Sequence, residues 1–311
     1  MVYEYNILKI IPSMKTLTVF TPAYNRAHTI GRTYESLLRQ TCKDFEWLVI
    51  DDGSTDNTRE LVEGWIKESI IPIRYIYKEN GGLYTGYNTA YANIDTELSV
   101  CIDSDDYMPD DAVELIIDHW RKFGGEKYAG ITGLDFLLNG EPIGGYFPPD
   151  FKEGYLIDYR RKYQHHGDTK QVMRTDIMKS VAPMVGFDGE KNFNPIYLLM
   201  QADQLLPSLF LNKNLCYVEY QTGKDSMSAG IFKQYLNSPN SFAKMRLLEM
   251  TLKRNTWRNL LRVAIHYNSS TIIAKDKKWL SKSPRKMLTI ATRPMGWILS
   301  RYIKYRAKNC I

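Results

Sequence analysis

Four short apolar runs in the first 125 residues each stop at a polar or glycine-bearing turn, and each is followed by a helix-period segment. Leu17-Thr18-Val19-Phe20 ends at Thr21-Pro22, and Trp47-Leu48-Val49-Ile50 ends at Asp51-Asp52-Gly53-Ser54. Residues 73–77 lead to Glu79-Asn80-Gly81-Gly82, and residues 98–102 to Asp103-Ser104-Asp105-Asp106. Continuous rather than alternating apolar runs read as strands buried on both faces, the pattern of a parallel sheet covered by helices. Helices are expected at 29–39, 57–67 and 84–93, and after a cap at Asp110 or Asp111. In the first, Thr29 precedes Ile30, Tyr34, Leu37 and Leu38 on one face. The alternation gives right-handed βαβ units. It predicts an α/β fold with a mainly parallel central sheet flanked by helices.

Sheets of this kind bind ligands beyond the carboxyl ends of their strands. The residues expected there are Thr21-Pro22-Ala23-Tyr24-Asn25 and the three polar turns just named, so carboxylates and glycines converge on one edge. Asp103 and Asp105 follow a strand at i and i+2, where both face one small volume and repel unless a cation joins them. Their oxygen chemistry suits Mg²⁺ or Mn²⁺, which keep positions open for phosphate oxygens. A capped turn is the alternative for such a stretch. Asp52 at the second strand end can accept a hydrogen bond from a nucleobase N–H. Tyr24, one strand away, offers a flat face for stacking. For the turn after Asp52, Ser54 or Asp56 is the expected helix cap.

Residues 126–235 carry more glycine and proline, broken strands at 129–138 and 215–221, and no βαβ rhythm. They read as the acceptor-side half of one domain. The expected organisation is an extension over 1–14, a domain over 15–240 (halves 15–125 and 126–240), and a helical basic region over 241–311. Helices are expected there at 242–254 and 257–267, with a further helical tail. Between Lys275 and Lys308 stand eleven Lys or Arg and one acid, Asp276, interleaved with Leu, Ile, Met and Trp. Such a helix can lie on a membrane with basic residues at anionic headgroups. Packing on the domain with a solvated basic face is the alternative. The same charge suits nucleic acid, but no reader motif accompanies it, and no nucleic-acid partner is expected. The four cysteines are scattered, no apolar run is long enough to span a bilayer, and residues 1–13 make a poor signal peptide. A cytoplasmic location, peripheral at the inner face of the plasma membrane if the tail binds lipid, is the expectation.

Thr21-Pro22-Ala23-Tyr24-Asn25-Arg26, then Gln40-Thr41 with Asp44-Phe45-Glu46, then Asp51-Asp52-Gly53-Ser54-Thr55-Asp56-Asn57-Thr58, then Asp103-Ser104-Asp105-Asp106 stand in order along the chain. This set resembles the family 2 glycosyltransferases of the GT-A fold, closely over about 15–125 and more loosely to about 240. The resemblance implies an inverting, metal-dependent transfer from a nucleotide-diphospho-sugar, with a UDP-sugar as the expected donor. The acceptor would be a glycan or lipid-linked glycan. Pro22, Ala23, Tyr24 and Asp52 would hold the nucleoside, with Asn25 and Ser104 in the same nucleotide-binding set. Asp103 would approach the ribose and Asp105 would ligate Mn²⁺ or Mg²⁺. An inverting transfer needs a general base beside the acceptor hydroxyl. The segment Phe187-Asp188-Gly189-Glu190-Lys191 resembles a Gly-Glu-Lys stretch of bacterial members, which makes Glu190 the first candidate and Asp188 the second. The chain departs from the family at Pro195, Gln201 and Asp203, where many members keep further acids in slightly different register. It also has Leu83-Tyr84 where close members carry a basic pair, with Lys78 as a substitute.

Asp168 is an acceptor-site candidate by position. The adjacent His165 and His166 would point to opposite faces of a strand, which argues against a two-histidine metal site. Two rival readings differ in kind. A nucleotidyltransferase would carry a glycine-rich basic loop after the first strand, where this chain has Thr-Pro-Ala-Tyr-Asn-Arg. A sugar-nucleotide-binding protein without turnover would bind the donor but lack the base.

Overall fold

In the computed structural model, residues 15–163, 167–219, 230–253 and 255–309 are described. The extension over 1–14, the His165-His166 pair, and the ends of the expected strand 215–221 and helix 242–254 lie at least partly outside them.

The strands are β1 (Leu17–Ala23), β2 (Phe45–Asp51), β3 (Ile73–Tyr77) and β4 (Leu98–Cys101), then β5 (Gly130–Leu137), β6 (Glu153–Gly154), β7 (Thr169–Arg174) and β8 (Ser208–Val218). They form one sheet in the order β3-β2-β1-β4-β7-β5-β8-β6. β1, β2, β3 and β4 pair in parallel, as do β5 and β8, whereas β7 runs antiparallel to both its neighbours. The parallel quartet is legible because β1 and β2 are buried almost throughout. Its crossovers are α1 (Ile30–Leu38), α2 (Thr58–Glu68) and α3 (Leu83–Asn93), and α4 (Ala112–Phe123) follows β4. From β1 the chain winds outward through β2 to β3, then returns to place β4 on the other side of β1. The crevice between the ends of β1 and β4 is therefore a topological switch point, where such sheets bind ligands.

In the second half β8 begins at Ser208, well ahead of the strand expected at 215–221, and the sequence announces neither β6 nor β7. β7 is an internal strand with no apolar run to announce it, and its antiparallel direction joins the two parallel blocks. Around it stand α5 (Leu156–Lys162), α6 (Thr175–Val181) and α7 (Ile196–Leu205). The C-terminal region comprises α8 (Ile231–Asn237), α9 (Pro239–Thr251), α10 (Trp257–Ile273), α11 (Trp279–Lys282), α12 (Lys286–Ala291) and α13 (Arg293–Asn309). α10 packs between α9 and α13. Asn268, fully buried on α10, ties this layer together. Its Nδ2 donates to the Thr289 carbonyl at 2.8 Å and Thr292 Oγ1 at 3.0 Å, and its Oδ1 accepts from Arg293 at 3.1 Å. Among the described residues no helix is long and apolar enough to cross a membrane.

Candidate active site

The end of β1 is fastened to the turn after β2. Asn25 adopts a left-handed φ of 54°, its N–H donates to Ser54 Oγ at 2.9 Å, and its side-chain oxygen accepts from the Thr55 amide at 2.8 Å. Asp56 accepts from the Ala27 and Thr58 amides at 3.0 and 3.1 Å and so ties the rim to the first residue of α2, whose N-cap position is Asn57 rather than the expected Ser54 or Asp56. Burial alone would push the Asp56 carboxyl up, but the Thr58 hydroxyl and these amides outweigh it and hold it low. The two strand ends thus form one rigid rim. On it Tyr24 stands 47% exposed, with its ring open to a partner.

Asp52 sits beneath this rim, 5% exposed. Its carboxylate accepts from the Gly81 and Gly82 amides at 3.0 and 2.8 Å and from Asn80 Nδ2 and Thr85 Oγ1 at 3.3 Å, and it pairs with Lys78. Asp52 therefore shapes the 80–82 turn, and Lys78 is committed to Asp52. Gly82, at φ 93°, presses against the Lys191 carbonyl so closely that a Cβ would lie 2.2 Å from it. Lys191 Nζ donates to Asn80 Oδ1 at 2.5 Å. The rim of the first half and the 188–191 segment of the second are thereby joined directly. Tyr84, which stands where family members carry a basic residue, packs its hydroxyl against Gly186. Burial raises its pKa, with the charges of Asp52, Asp188 and Glu190 adding to the effect.

At the end of β4, the Asp103-to-Asp106 turn closes with an N–H···O bond of 3.0 Å between Asp106 and the Asp103 carbonyl. α1 holds its backbone: Arg32 donates to the Asp105 carbonyl at 3.2 Å and Thr33 to the Asp106 carbonyl at 2.7 Å. Asp103 opens to solvent, Asp105 is half-buried and Ser104 is buried. Asp103 is reached by water yet crowded by protein. That crowding raises its carboxyl, Lys170 pulls it down, Asp105 pushes it up, and the net direction is upward. A cation reverses that balance, so the pair fits a divalent metal. Among the described residues no cluster of three or more His, Cys, Asp or Glu forms a metal cage. Asp103 and Asp105 are oxygen donors of the kind that suits Mg²⁺ or Mn²⁺.

Behind this turn lies a charge cluster that the motifs do not announce. The β5–β8 register shifts on both sides of Leu134, and such irregularities re-aim side chains. Asp135, 3% exposed, lies 3.6 Å from Lys170 Nζ on β7. Burial pushes the Asp135 carboxyl up to about 6, with Lys170 opposing. Burial likewise pushes Asp106 up to about 7 against the same Lys170 charge. Burial alone would depress the Lys170 ammonium, but the carboxylates around it, Asp135 foremost, hold it well above its ordinary value. The only sequence signal for this cluster is a single acid inside an apolar strand. Asp168, exposed just before β7, adds its charge to Asp135.

Glu190 and Asp188 part company in the structure. The turn 187–190 closes through the Glu190 N–H on the Phe187 carbonyl at 3.0 Å, with Gly189 at φ 74°. This turns Asp188 out to solvent. Glu190 is 7% exposed, and both its oxygens are engaged at the start of α9. Oε1 accepts from Asn240 N and Nδ2 at 3.0 and 2.8 Å, and Oε2 from Ser241 N and Oγ at 2.7 Å each. Glu190 is thus a buried cap whose hydrogen-bonding capacity is spent on α9. Glu190→Ala strands these donors and is expected to cost about 2–3 kcal/mol in thermal unfolding. Asp203 plays a similar part, accepting from the Leu156 and Ile157 amides at 2.6 and 3.3 Å at the head of α5.

The sheet order and the switch-point crevice define a GT-A-type fold. S. aureus TarS residues 1–349, in complex with UDP-GlcNAc, superposes with a TM-score of 0.62 at 17% identity, covering 95% of this chain and 92% of that one. The mannosyltransferase PcManGT from Pyrobaculum calidifontis, in complex with GDP-Man and Mn²⁺, gives 0.54 at 15% identity, covering 96% and 85%. At these identities the likeness is one of fold. Residues 18–141 match the family model of glycosyl transferase family 2, so that segment is a glycosyl transferase family 2 domain. It is 39% identical over 120 residues to the chondroitin synthase of Escherichia coli, covering 38% of this chain and 17% of that protein. It is 37% identical over 141 residues to the hyaluronan synthase of Pasteurella multocida, covering 45% and 14%. The chain therefore spans about a sixth of the length of these relatives.

Proposed function

We propose that the chain transfers a sugar from a UDP-sugar to a hydroxyl of a glycan or lipid-linked glycan, with inversion and with Mn²⁺ or Mg²⁺ bound through Asp105. The observation that carries this reading is that Tyr24, Asp52 and the Asp103-Ser104-Asp105 turn follow the carboxyl ends of β1, β2 and β4, three adjacent parallel strands around the switch point. Tyr24 stacks on the base, while Pro22, Ala23 and Asn25 form the rim that receives the nucleoside. Asp52 acts through the turn it shapes and through whatever accepting capacity a bound base recruits. Asp103 and Ser104 lie toward the ribose. A bound divalent cation supplies charge neutralisation at the departing diphosphate. TarS is in complex with UDP-GlcNAc and PcManGT with GDP-Man and Mn²⁺, which supports a nucleotide-sugar donor and a metal.

For the base, the exposed carboxylate of Asp188 is the better placed of the two candidates. It takes the proton from the acceptor hydroxyl as that oxygen attacks the anomeric carbon and the bond to the diphosphate breaks. Glu190 positions the turn that presents it, and Asp168 faces the acceptor side. Release of UDP from a panel of UDP-sugars, with acceptor glycans and with or without Mn²⁺, tests the reaction. Asp188→Asn is expected to lower kcat by about 10²–10⁴-fold with an unchanged melting temperature. Full activity in that variant, alongside a dead but stable Glu190→Gln, would return the base to Glu190.

A further inference from the structure

α13 is set against the rest of the molecule by a stripe of small and apolar residues. Gly296, Ser300 and Ile303 are buried, at spacings of four and three that mark one helical face. Gly296 makes the contact with α10 possible, since a Cβ there would lie 2.3 Å from the Asn268 Cβ. The Asn268 hydrogen bonds to Thr289 and Thr292 hold the preceding turn in place. The rotation of α13 is therefore fixed, and so is the face it turns outward.

That outward face is apolar at its centre. Met295, Ile298, Tyr302 and Tyr305 follow one another at spacings of three, four and three, and all are between 44% and 64% exposed. Trp297, 57% exposed, lies beside them. Arg301 and Lys308, seven residues apart and both exposed, run along one border of the stripe. Arg306 borders the other side, with its guanidinium near the Tyr302 and Phe232 rings and a 2.8 Å hydrogen bond to the Tyr302 hydroxyl. No acid occurs from Lys277 to the last residue, whereas ten Lys or Arg do. An apolar, aromatic-rich centre with cationic borders and no anion complements a surface that is anionic outside and apolar just below. A protein partner carrying acids would leave the exposed apolar stripe unexplained, and a nucleic acid would leave it unused.

We infer that the outer face of α13 docks the chain on an anionic lipid bilayer, lying in the interface rather than crossing it. Ile298, Tyr302 and Tyr305 enter the boundary between headgroups and acyl chains, and Arg301 and Lys308 meet the headgroup phosphates. The inference is independent of the donor and base assignments, because none of these residues belongs to the catalytic crevice.

Co-sedimentation of the full chain with vesicles of equal parts phosphatidylglycerol and phosphatidylcholine tests it, against vesicles of phosphatidylcholine alone. Binding to the first and far weaker binding to the second is expected. Arg301→Gln with Lys308→Gln should weaken partitioning by roughly 30-fold. Ile298→Ser with Tyr305→Ser should weaken it by roughly tenfold or more, although no charge is lost. All four side chains are exposed, and circular dichroism checks that the variants fold. Brominated acyl chains should quench the parent chain, and less so in Trp297→Phe, which requires no destabilising change. Failure to bind anionic vesicles overturns the inference, as does a serine variant that binds like the parent, which would show mere adhesion of a polycation. A dimer in sedimentation velocity that the serine variant abolishes, without vesicle binding, would assign the face to a second copy instead.

Discussion

Asp105→Asn is expected to lower sugar transfer by about a thousandfold or more while leaving the melting temperature of the protein unchanged. The size follows from what the proposed reaction would lose: the carboxylate that would hold the cation opposite the departing diphosphate. The neutrality toward folding follows from the structure. The Asp105 backbone carbonyl, held by Arg32, stays in place, and the side chain that changes is half-buried at a cleft edge rather than packed in a core. Asparagine keeps the shape and one oxygen but loses the charge, so metal-dependent binding of UDP, followed by calorimetry, should weaken together with turnover. Asp103→Asn makes a useful contrast. Its carboxyl is already pushed toward the neutral form by its surroundings, so its removal relieves crowding as well as losing a contact. Transfer that persists in Asp105→Asn, or that is indifferent to chelation in the parent, would exclude a metal-dependent reaction.

Why the donor edge was readable and the rest was not has a physical basis. β1, β2 and β4 are covered on both faces, so their sequences are almost unbroken apolar runs, and each expected boundary fell within three residues of the observed one. Residues at the ends of such strands have positions dictated by the sheet, so Tyr24, Asp52, Asp103 and Asp105 can be assigned to the carboxyl ends of β1, β2 and β4 without knowledge of any tertiary contact. β7 hides because Thr169, Lys170 and Gln171 open it, and Lys170 is there to answer charges from other strands. Glu190 and Asp203 illustrate the deeper limit. Glu190 reads as a possible base in the sequence and Asp203 as an acid displaced from the family's pattern, yet their partners stand about fifty residues away, at Asn240 and Ser241 for one and Leu156 for the other. An isolated acid does not reveal whether its oxygens are free. Asp188 and Glu190 differ by two positions in sequence and by nearly everything in environment.

Lys170→Met is expected to be the most destabilising single substitution in this region, costing about 3–5 kcal/mol near pH 8. Lys170 is the cation that Asp135, Asp106 and Asp103 share, and methionine fills its volume without its charge. The loss should shrink as pH falls. Asp135 titrates at about 6 in the folded parent, above its ordinary value, even with Lys170 pulling it down. Removing Lys170 raises it further, so the folded variant binds a proton that the unfolded chain releases until much lower pH. A folded-state pKa raised in this way means stability is greatest below the unfolded value and falls as pH rises through the folded one. The variant should therefore lie close to the parent near pH 4 to 5 and fall away steadily toward pH 8, with the gap read from melting temperatures along a pH series. Asp135→Asn placed on top of Lys170→Met removes one of the orphaned charges and should recover part of the loss at pH 8. A gap that is constant with pH would mean that Lys170 serves the fold through packing alone, and that the carboxylates behind the Asp103-Ser104-Asp105 turn do not depend on its charge.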